Sequence, residues 1–472
     1  MAATDAPTPM TPISPAEPHR PHAGLVITAL ATGFVMATLD VTVVNVAGAT
    51  VQQRLPATLT QLTWIIDGYV LAFASLLMLG GGLANRLGAR KVYLTGMLVF
   101  FAASLACGLA PNAPALIAAR LVQGVGAALF MPSSLALLVF SFPDKRERTR
   151  MLGLWSAIVA TSSGLGPTVG GLMVDAFGWR SIFLLNLPIG AAGILLTRRY
   201  IAPVASRAVR LAPAGHLTWI TGLAALSVAL IQGPRTGWAS GQVLAAYAVA
   251  AAAVAVLIVR EPRARATVMP WGLFRSAEFT GANLVGFLFN FALFGSAFML
   301  GLYLQHARGA TPFEAGLQLL PTTIFFPIAN VVYSRIAGRF TNGQLLTGFL
   351  LLAGFASLTM TTISAATPYW VIALAVGVAN VGAGVISPGM TAALVDAAGA
   401  EHANVAGSVL NANRQVGSLV GIAAISAVLS SFGDWQHGAA FSFLLVAVCY
   451  LLGGVAAWRL IRRTERQAQP AA

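Results

Sequence analysis

From residue 24 onward the chain alternates long apolar runs with short polar breaks. A helix rising 1.5 Å per residue needs about 20 mostly apolar residues to cross the hydrocarbon of a bilayer. Fourteen runs meet that length, at roughly 24–47, 62–84, 92–110, 114–139, 150–172, 180–197, 215–233, 241–259, 279–303, 313–334, 344–364, 369–391, 405–430 and 438–460. The pattern predicts an all-α polytopic membrane protein with 14 transmembrane helices. Runs 1–6 stop at the basic, proline-containing loop 198–214, and runs 9–14 start after a similar loop, 260–278. Between them lies a pair of runs turned by Gly233-Pro234-Arg235-Thr236-Gly237. The expected organisation is a disordered cytoplasmic tail (1–23), a six-helix bundle (24–197), an accessory two-helix hairpin (215–259), a second six-helix bundle (279–460) and a cytoplasmic tail (461–472). A faint repeat supports the division: Asn85-Arg86-Leu87 leading to Thr95-Gly96 resembles Gly338-Arg339-Phe340 leading to Thr347-Gly348. Parallel six-helix repeats place a substrate cavity between the halves, near the membrane midplane.

Composition agrees with the pattern. Of 472 residues 57% are hydrophobic and 9% charged, with a mean hydropathy of +0.79, whereas a soluble domain is about 25% charged. The formal charge of +14 would suggest nucleic acid, but 22 of the 28 Lys and Arg fall in alternate loops, such as 86–91, 145–150, 198–210 and 459–466. That asymmetry is the positive-inside signal of a cytoplasmic membrane protein with both termini in the cytoplasm, and a nucleic-acid partner is rejected. The loop 392–404 dissents, holding Asp396 and Glu401 without a cation. Met1 to His22 has no apolar core and reads as a tail rather than a signal peptide. Cys107 and Cys449 sit inside apolar runs, the histidines are scattered, and no metal, cofactor or nucleophile–base spacing exists, so no enzyme is expected.

Candidate chemistry lies in the few polar groups within the runs. Asp40, in Leu39-Asp40-Val41-Thr42-Val43-Val44-Asn45, costs about 2.5–3.5 kcal/mol at a bilayer centre and is expected to face a protein interior or an aqueous cavity. It is either a proton-coupling acid or one member of a structural pair. Arg120, in Ala119-Arg120-Leu121-Val122-Gln123-Gly124, needs a carboxylate or several carbonyls, with Gln123 on its face. Asp67, between Trp64 and Tyr69, lies at a depth similar to Asp40 and Arg120. Ring faces beside a carboxylate suit a lipophilic cation, although Trp64 and Tyr69 could instead be interfacial belt residues. Arg414, flanked by Asn411, Asn413 and Gln415, has no acid at its depth in its own bundle and is left to meet carbonyls or substrate, and Asn45, Gln123 and Asn411 are further candidates for substrate binding.

Two glycine-rich stretches are candidates for moving parts. Gly81 to Lys91, with Asn85, Arg86, Gly88 and Arg90, is a basic turn, either a conformational latch or a positive-inside anchor. Gly164-Leu165-Gly166-Pro167-Thr168-Val169-Gly170-Gly171 combines a small-xxx-small face with a helix-bending proline, as a pivot against the other bundle or as a well-packed kink. Thr311-Pro312-Phe313-Glu314 is a helix start, with Glu314 in a capping role.

In these stretches, together with Trp179 to Gly190 and Asn413 to Gly417, the chain resembles a fourteen-helix drug:proton antiporter of the major facilitator superfamily. The resemblance covers nearly everything past residue 24. It implies a two-bundle fold, alternating access driven by the proton gradient without a cofactor, and export of hydrophobic or cationic compounds out of the lipid and cytoplasm. It further implies proton coupling at Asp40, gating at Arg120, hinge roles at Gly166, Pro167, Gly170 and Gly171, and reception of cationic drugs near Asp67. Asn85 stands where the family usually has Asp. The rival expectations are a dedicated exporter of one endogenous metabolite or antibiotic and, remotely, a non-transporting membrane receptor.

Overall fold

The computed structural model describes residues 23–142, 144–203, 211–264, 267–337, 339–364, 366–399, 403–432 and 434–468. The expected tail over residues 1–22, the central part of loop 198–214, Gly338 of the faint repeat and Glu401 lie outside the described residues.

The first helices are α1 (Ala23–Arg54), α2 (Leu59–Leu87), α3 (Ala89–Gly108), α4 (Ala113–Ser141), α5 (Lys145–Phe177), α6 (Ser181–Leu184) and α7 (Asn186–Tyr200). They pack on one another, chiefly α4 against α2 and α3, and α1 against α5 and α7. Next come α8 (Pro213–Thr236) and α9 (Gly241–Arg260), which pair with each other while α8 lies against α2 and α15 (Ala403–Ser431). The rest are α10 (Ala277–His306), α11 (Pro312–Gln318), α12 (Leu320–Ile336), α13 (Asn342–Thr359), α14 (Tyr369–Ala398), α16 (Trp435–Ala456) and α17 (Arg463–Ala468). In this second set α10 packs on α15 and α16, and α13 on α14 and α16.

Local chemistry marks the ends. The Thr58 hydroxyl accepts from Gln61 N while Gln61 caps Thr58 N, starting α2. Thr311 and Glu314 form the same reciprocal cap on α11, as their sequence predicts. Gly88, at φ 92°, lets α2 turn into α3, a conformation costly for other residues. Close helix contact also depends on glycine: a Cβ on Gly124 of α4 would overlap the Tyr69 carbonyl of α2.

Among the described residues twelve helical segments are long and apolar enough to cross a membrane. The fourteen expected runs differ from this set at two places. One is α5, a single helix of 33 residues in which several side chains lie outside the described residues, and the other is the run at 313–334, broken at Leu319 into helices of 7 and 17 residues. On α9, Leu244, Val249, Val254 and Ile258 are all exposed, an apolar face suited to lipid.

Candidate functional site

Asp40 of α1 is almost completely buried and paired with Arg120 of α4, whose Nη1 donates to Asp40 Oδ2. The other carboxylate oxygen accepts from Gln123 Nε2 at 2.8 Å and from Asn186 Nδ2 of α7 at 3.3 Å. Arg120 Nε donates to the Ile65 carbonyl of α2 at 2.9 Å, and its guanidinium lies 4.5 Å from the Tyr69 ring centroid. Gln123 accepts from Arg120 Nη1 at 2.6 Å and donates to Ser104 Oγ of α3 at 2.9 Å. Helices α4 and α7 therefore reach the carboxylate of α1 directly, and α2 and α3 join the cluster through Arg120 and Gln123. The spacing of Arg120 and Gln123, three residues apart on one helix face, brings both to it. Ser104 and Asn186 were assigned no role from sequence. The signal for Asn186 was a lone amide in the apolar stretch Leu184-Leu185-Asn186-Leu187.

An ion pair this deep is held by its hydrogen bonds as much as by charge, because removing two ions from water costs several kcal/mol each. A proton added to Asp40 would cancel its charge and leave Arg120 with the Ile65 carbonyl, Gln123 and the Tyr69 ring. The cluster can thus exist in two bonded states that differ by one proton.

Beside it, between the two helix sets, lies a cavity of about 800 Å³. Thr38, Thr42 and Asn45 of α1 line one wall, and Trp155 and Pro167 of α5 another. Phe289 and Leu300 of α10, Asn380 of α14, Asn411 and Arg414 of α15 and Tyr450 of α16 face them. The wall is mostly apolar with a few convergent polar groups, the usual character of a small-molecule site. Phe34 and Trp155 meet edge to face at 4.5 Å in it.

Of the sequence-predicted binding residues, Asn45, Asn411 and Arg414 reach the cavity, as does Pro167. Asp67, Trp64, Tyr69 and Gln123 are not among its lining residues. Asp67 is fully buried on another face of α2, with neither carboxylate oxygen hydrogen-bonded among the described residues. It shares the depth of Asp40 and Arg120, since Ile65 and Tyr69 on either side of it both touch Arg120. The face of the helix separates them. Tyr69 serves the guanidinium, and Trp64 is half-buried against the apolar core of the first set.

At one end of the cavity the two sets are in contact. Gln305 Nε2 of α10 donates to the Val46 carbonyl at 2.7 Å, the Phe313 amide of α11 donates to Asp175 Oδ2 of α5 at 3.1 Å, and the Thr63 and Ser426 hydroxyls of α2 and α15 are hydrogen-bonded. These contacts share the end of the molecule opposite the first residue of α1 and the last turns of α16.

The Major Facilitator Superfamily model matches residues 30–422. A protein of Streptomyces coelicolor named Methylenomycin A resistance protein is 76% identical over 446 residues, 94% of each chain. A Bacillus subtilis protein of the same name is 46% identical over 92% of this chain and 93% of its own length. A crystal structure of a peptide transporter of the POT family covers 96% of this chain and 97% of its own at a TM-score of 0.71 and 17% identity, a likeness of fold alone.

The chain belongs to the Major Facilitator Superfamily.

This facilitator's two glycine-rich stretches are arranged as follows. A Cβ on Gly166 would overlap Thr42 Oγ1, and one on Gly170 would crowd Val43, so both glycines let α5 press on α1 within the first set. Gly171 instead faces the other set, where a Cβ would overlap the Pro312 carbonyl, and Gly316 of α11 has the same relation to the Pro167 carbonyl. The motif expected as one pivot against the opposite bundle therefore looks both ways along a single helix. In the turn between α2 and α3, Asn85 and Arg86 are exposed, while Gly81 and Arg90 are half-buried. Arg90 Nη2 donates at 2.8 Å to the Arg198 carbonyl near the end of α7. This bond ties the turn to the C-terminal end of a helix within the first set.

Proposed function

We propose that this chain is a proton-coupled antiporter that exports small hydrophobic drugs or antibiotics across the cytoplasmic membrane. The observation that carries the reading is the near-full-length identity to proteins named for methylenomycin A resistance, joined to a cavity enclosed by both helix sets. Membership of a transporter family argues for transport rather than catalysis. In the full reading fourteen helices span the membrane: the twelve long apolar segments, α5, and α11 with α12 as one broken span. They form two six-helix bundles with the α8–α9 hairpin inserted between them, and both termini lie in the cytoplasm. The end closed by Thr63–Ser426 and Gln305–Val46 is then the outer one, and the cavity is available from the cytoplasm and inner leaflet.

Transport follows from two states with different preferences. Substrate occupies the cavity, the outer contacts part, and substrate leaves as a proton reaches Asp40. Protonation removes the attraction to Arg120 and frees Gln123 and Asn186 to rearrange. The return inward releases the proton and restores the pair. The gradient supplies the work, with no cofactor.

Two arms test this. Expression in a methylenomycin-sensitive host should raise the inhibitory concentration at least about fourfold, and inside-out vesicles should accumulate the antibiotic on imposing a pH gradient. Asp40→Asn, reaching the membrane at normal abundance, should lose at least about 90% of gradient-driven uptake. Undiminished gradient-driven uptake by that variant would end the assignment of Asp40. The shared name of the two relatives favours a narrow range, so a panel of unrelated drugs should gain little resistance, and broad resistance would instead indicate a multidrug exporter.

A further inference from the structure

The cavity carries one sign of charge. Among the described residues that line it, Arg414 is the one ionisable group with a permanent charge, and its companions are neutral: Thr38, Thr42, Asn45, Asn380, Asn411 and Gln415. Arg414 stands eleven residues into α15, about 16 Å along the helix axis. It is half-buried, its stem lies against Gly286 of α10, and among the described residues it makes no ion pair or hydrogen bond. A guanidinium so placed has five donors and no acceptor for them.

The acids that could answer it are elsewhere. Of the fourteen acidic residues in the chain, Asp40 and Asp67 alone lie deep within helices. Asp40 is committed to Arg120, Gln123 and Asn186, and Asp67 is outside the cavity lining. The remainder sit at helix ends or in loops, apart from Asp5, Glu17 and Glu401, which lie outside the described residues.

We infer that the cavity is built for a small amphipathic anion, a carboxylate in particular, whose acidic group is held by Arg414 while its apolar body packs on Phe34, Trp155, Phe289 and Tyr450. A planar guanidinium matches a carboxylate with two parallel hydrogen bonds. The aromatic and aliphatic walls supply apolar contact, and about 800 Å³ accommodates a drug-sized molecule. A lipophilic cation in the same space would meet a like charge in a medium of low dielectric, with no carboxylate to offset it. The charge of the cavity thus selects against the cationic class and leaves neutral compounds as weaker ligands.

The inference deepens the exporter reading and rests on it for the direction of transport, but binding tests it separately. Three probes with one fluorophore and three charges serve: dansylglycine, its methyl ester and dansylcadaverine, titrated into the purified full-length protein with dansyl emission as the readout. The wild type should bind dansylglycine at least about tenfold more tightly than the ester, and the ester more tightly than the cation. Arg414→Gln should level the anion with the ester, Arg414→Lys should keep a reduced preference for the anion, and Arg414→Glu should favour dansylcadaverine. Each variant is compared by the ratio of its affinities, which a general loss of folded protein leaves unchanged. Equal binding of anion and ester by the wild type, or an undiminished anion preference in Arg414→Gln, would overturn the inference. Anion-selective binding without gradient-driven vesicle uptake would support the pocket and defeat the exporter reading. Uptake that ignores probe charge would do the reverse.

Discussion

Asp40 has three partners drawn from two other helices, and its ion pair with Arg120 is the interaction whose loss should be felt most. Arg120→Ala leaves a buried carboxylate with two amide donors. Breaking a buried pair by removing one partner costs about 3–5 kcal/mol, so a fall of several degrees in the thermal midpoint of detergent-solubilised protein is expected. Adding Asp40→Asn should restore part of that loss, since the double variant has no uncompensated charge. A double variant no more stable than Arg120→Ala would show that the two residues are not energetically coupled. That Arg120 needs a carboxylate was legible in sequence, but Asp40 and Asp67 both lie at its depth, and only the packing of the helices gave it Asp40. The assignment of Gln123 to substrate was not so placed: its amide is consumed by Asp40, Arg120 and Ser104. Composition names a polar group but does not tell which neighbour it faces.

Helix α5 shows how one element can serve two interfaces. Gly166 and Gly170 admit α1, while Gly171 and the Pro167 carbonyl admit α11, so the backbones of α5 and α11 touch across the boundary between the two sets. Gly171→Val and Gly316→Val would each put a branched side chain where a carbonyl now stands. Each should disfavour the state closed at that end and shift the population toward the opposite opening. Spin labels placed on α5 and α11 near this end should report a separation increased by several Å, with export reduced at least about fivefold. An unchanged distance distribution would mean that this contact does not set the conformational balance. The glycine spacing announced close packing from sequence alone. It did not announce that successive glycines face different helices, since 100° per residue turns each toward a different neighbour.

For the molecule as a whole, the contacts that join the two helix sets at the closed end predict where it must open. A pair of cysteines, Thr63→Cys with Ser426→Cys, replaces two hydroxyls already in hydrogen-bond contact, a separation near that needed for a disulfide. Oxidation should join α2 to α15 and lower export at least about tenfold, and reductant should restore it. The native Cys107 and Cys449 are buried and should leave the comparison clean. Full export by the cross-linked protein would show that the two sets do not part here during transport.

The sequence by itself determined that this is a membrane-embedded helical protein, where most of its helices run, and which acids and arginines lie deep within apolar runs. Those features follow from run length and the cost of burying charge in lipid, which are properties of the chain read locally. Tertiary structure alone decided that Asp67 and Arg414, both without an ion-pair partner among the described residues, have different settings. Asp67 is sealed on a face of α2 away from the cavity, and Arg414 opens into it. A helix presents every side chain to some direction, and only the packing of its neighbours decides whether that direction is core, lipid or cavity. For the same reason the charge of the cavity, and the class of molecule it suits, became visible only when helices from two distant parts of the chain were brought around one space.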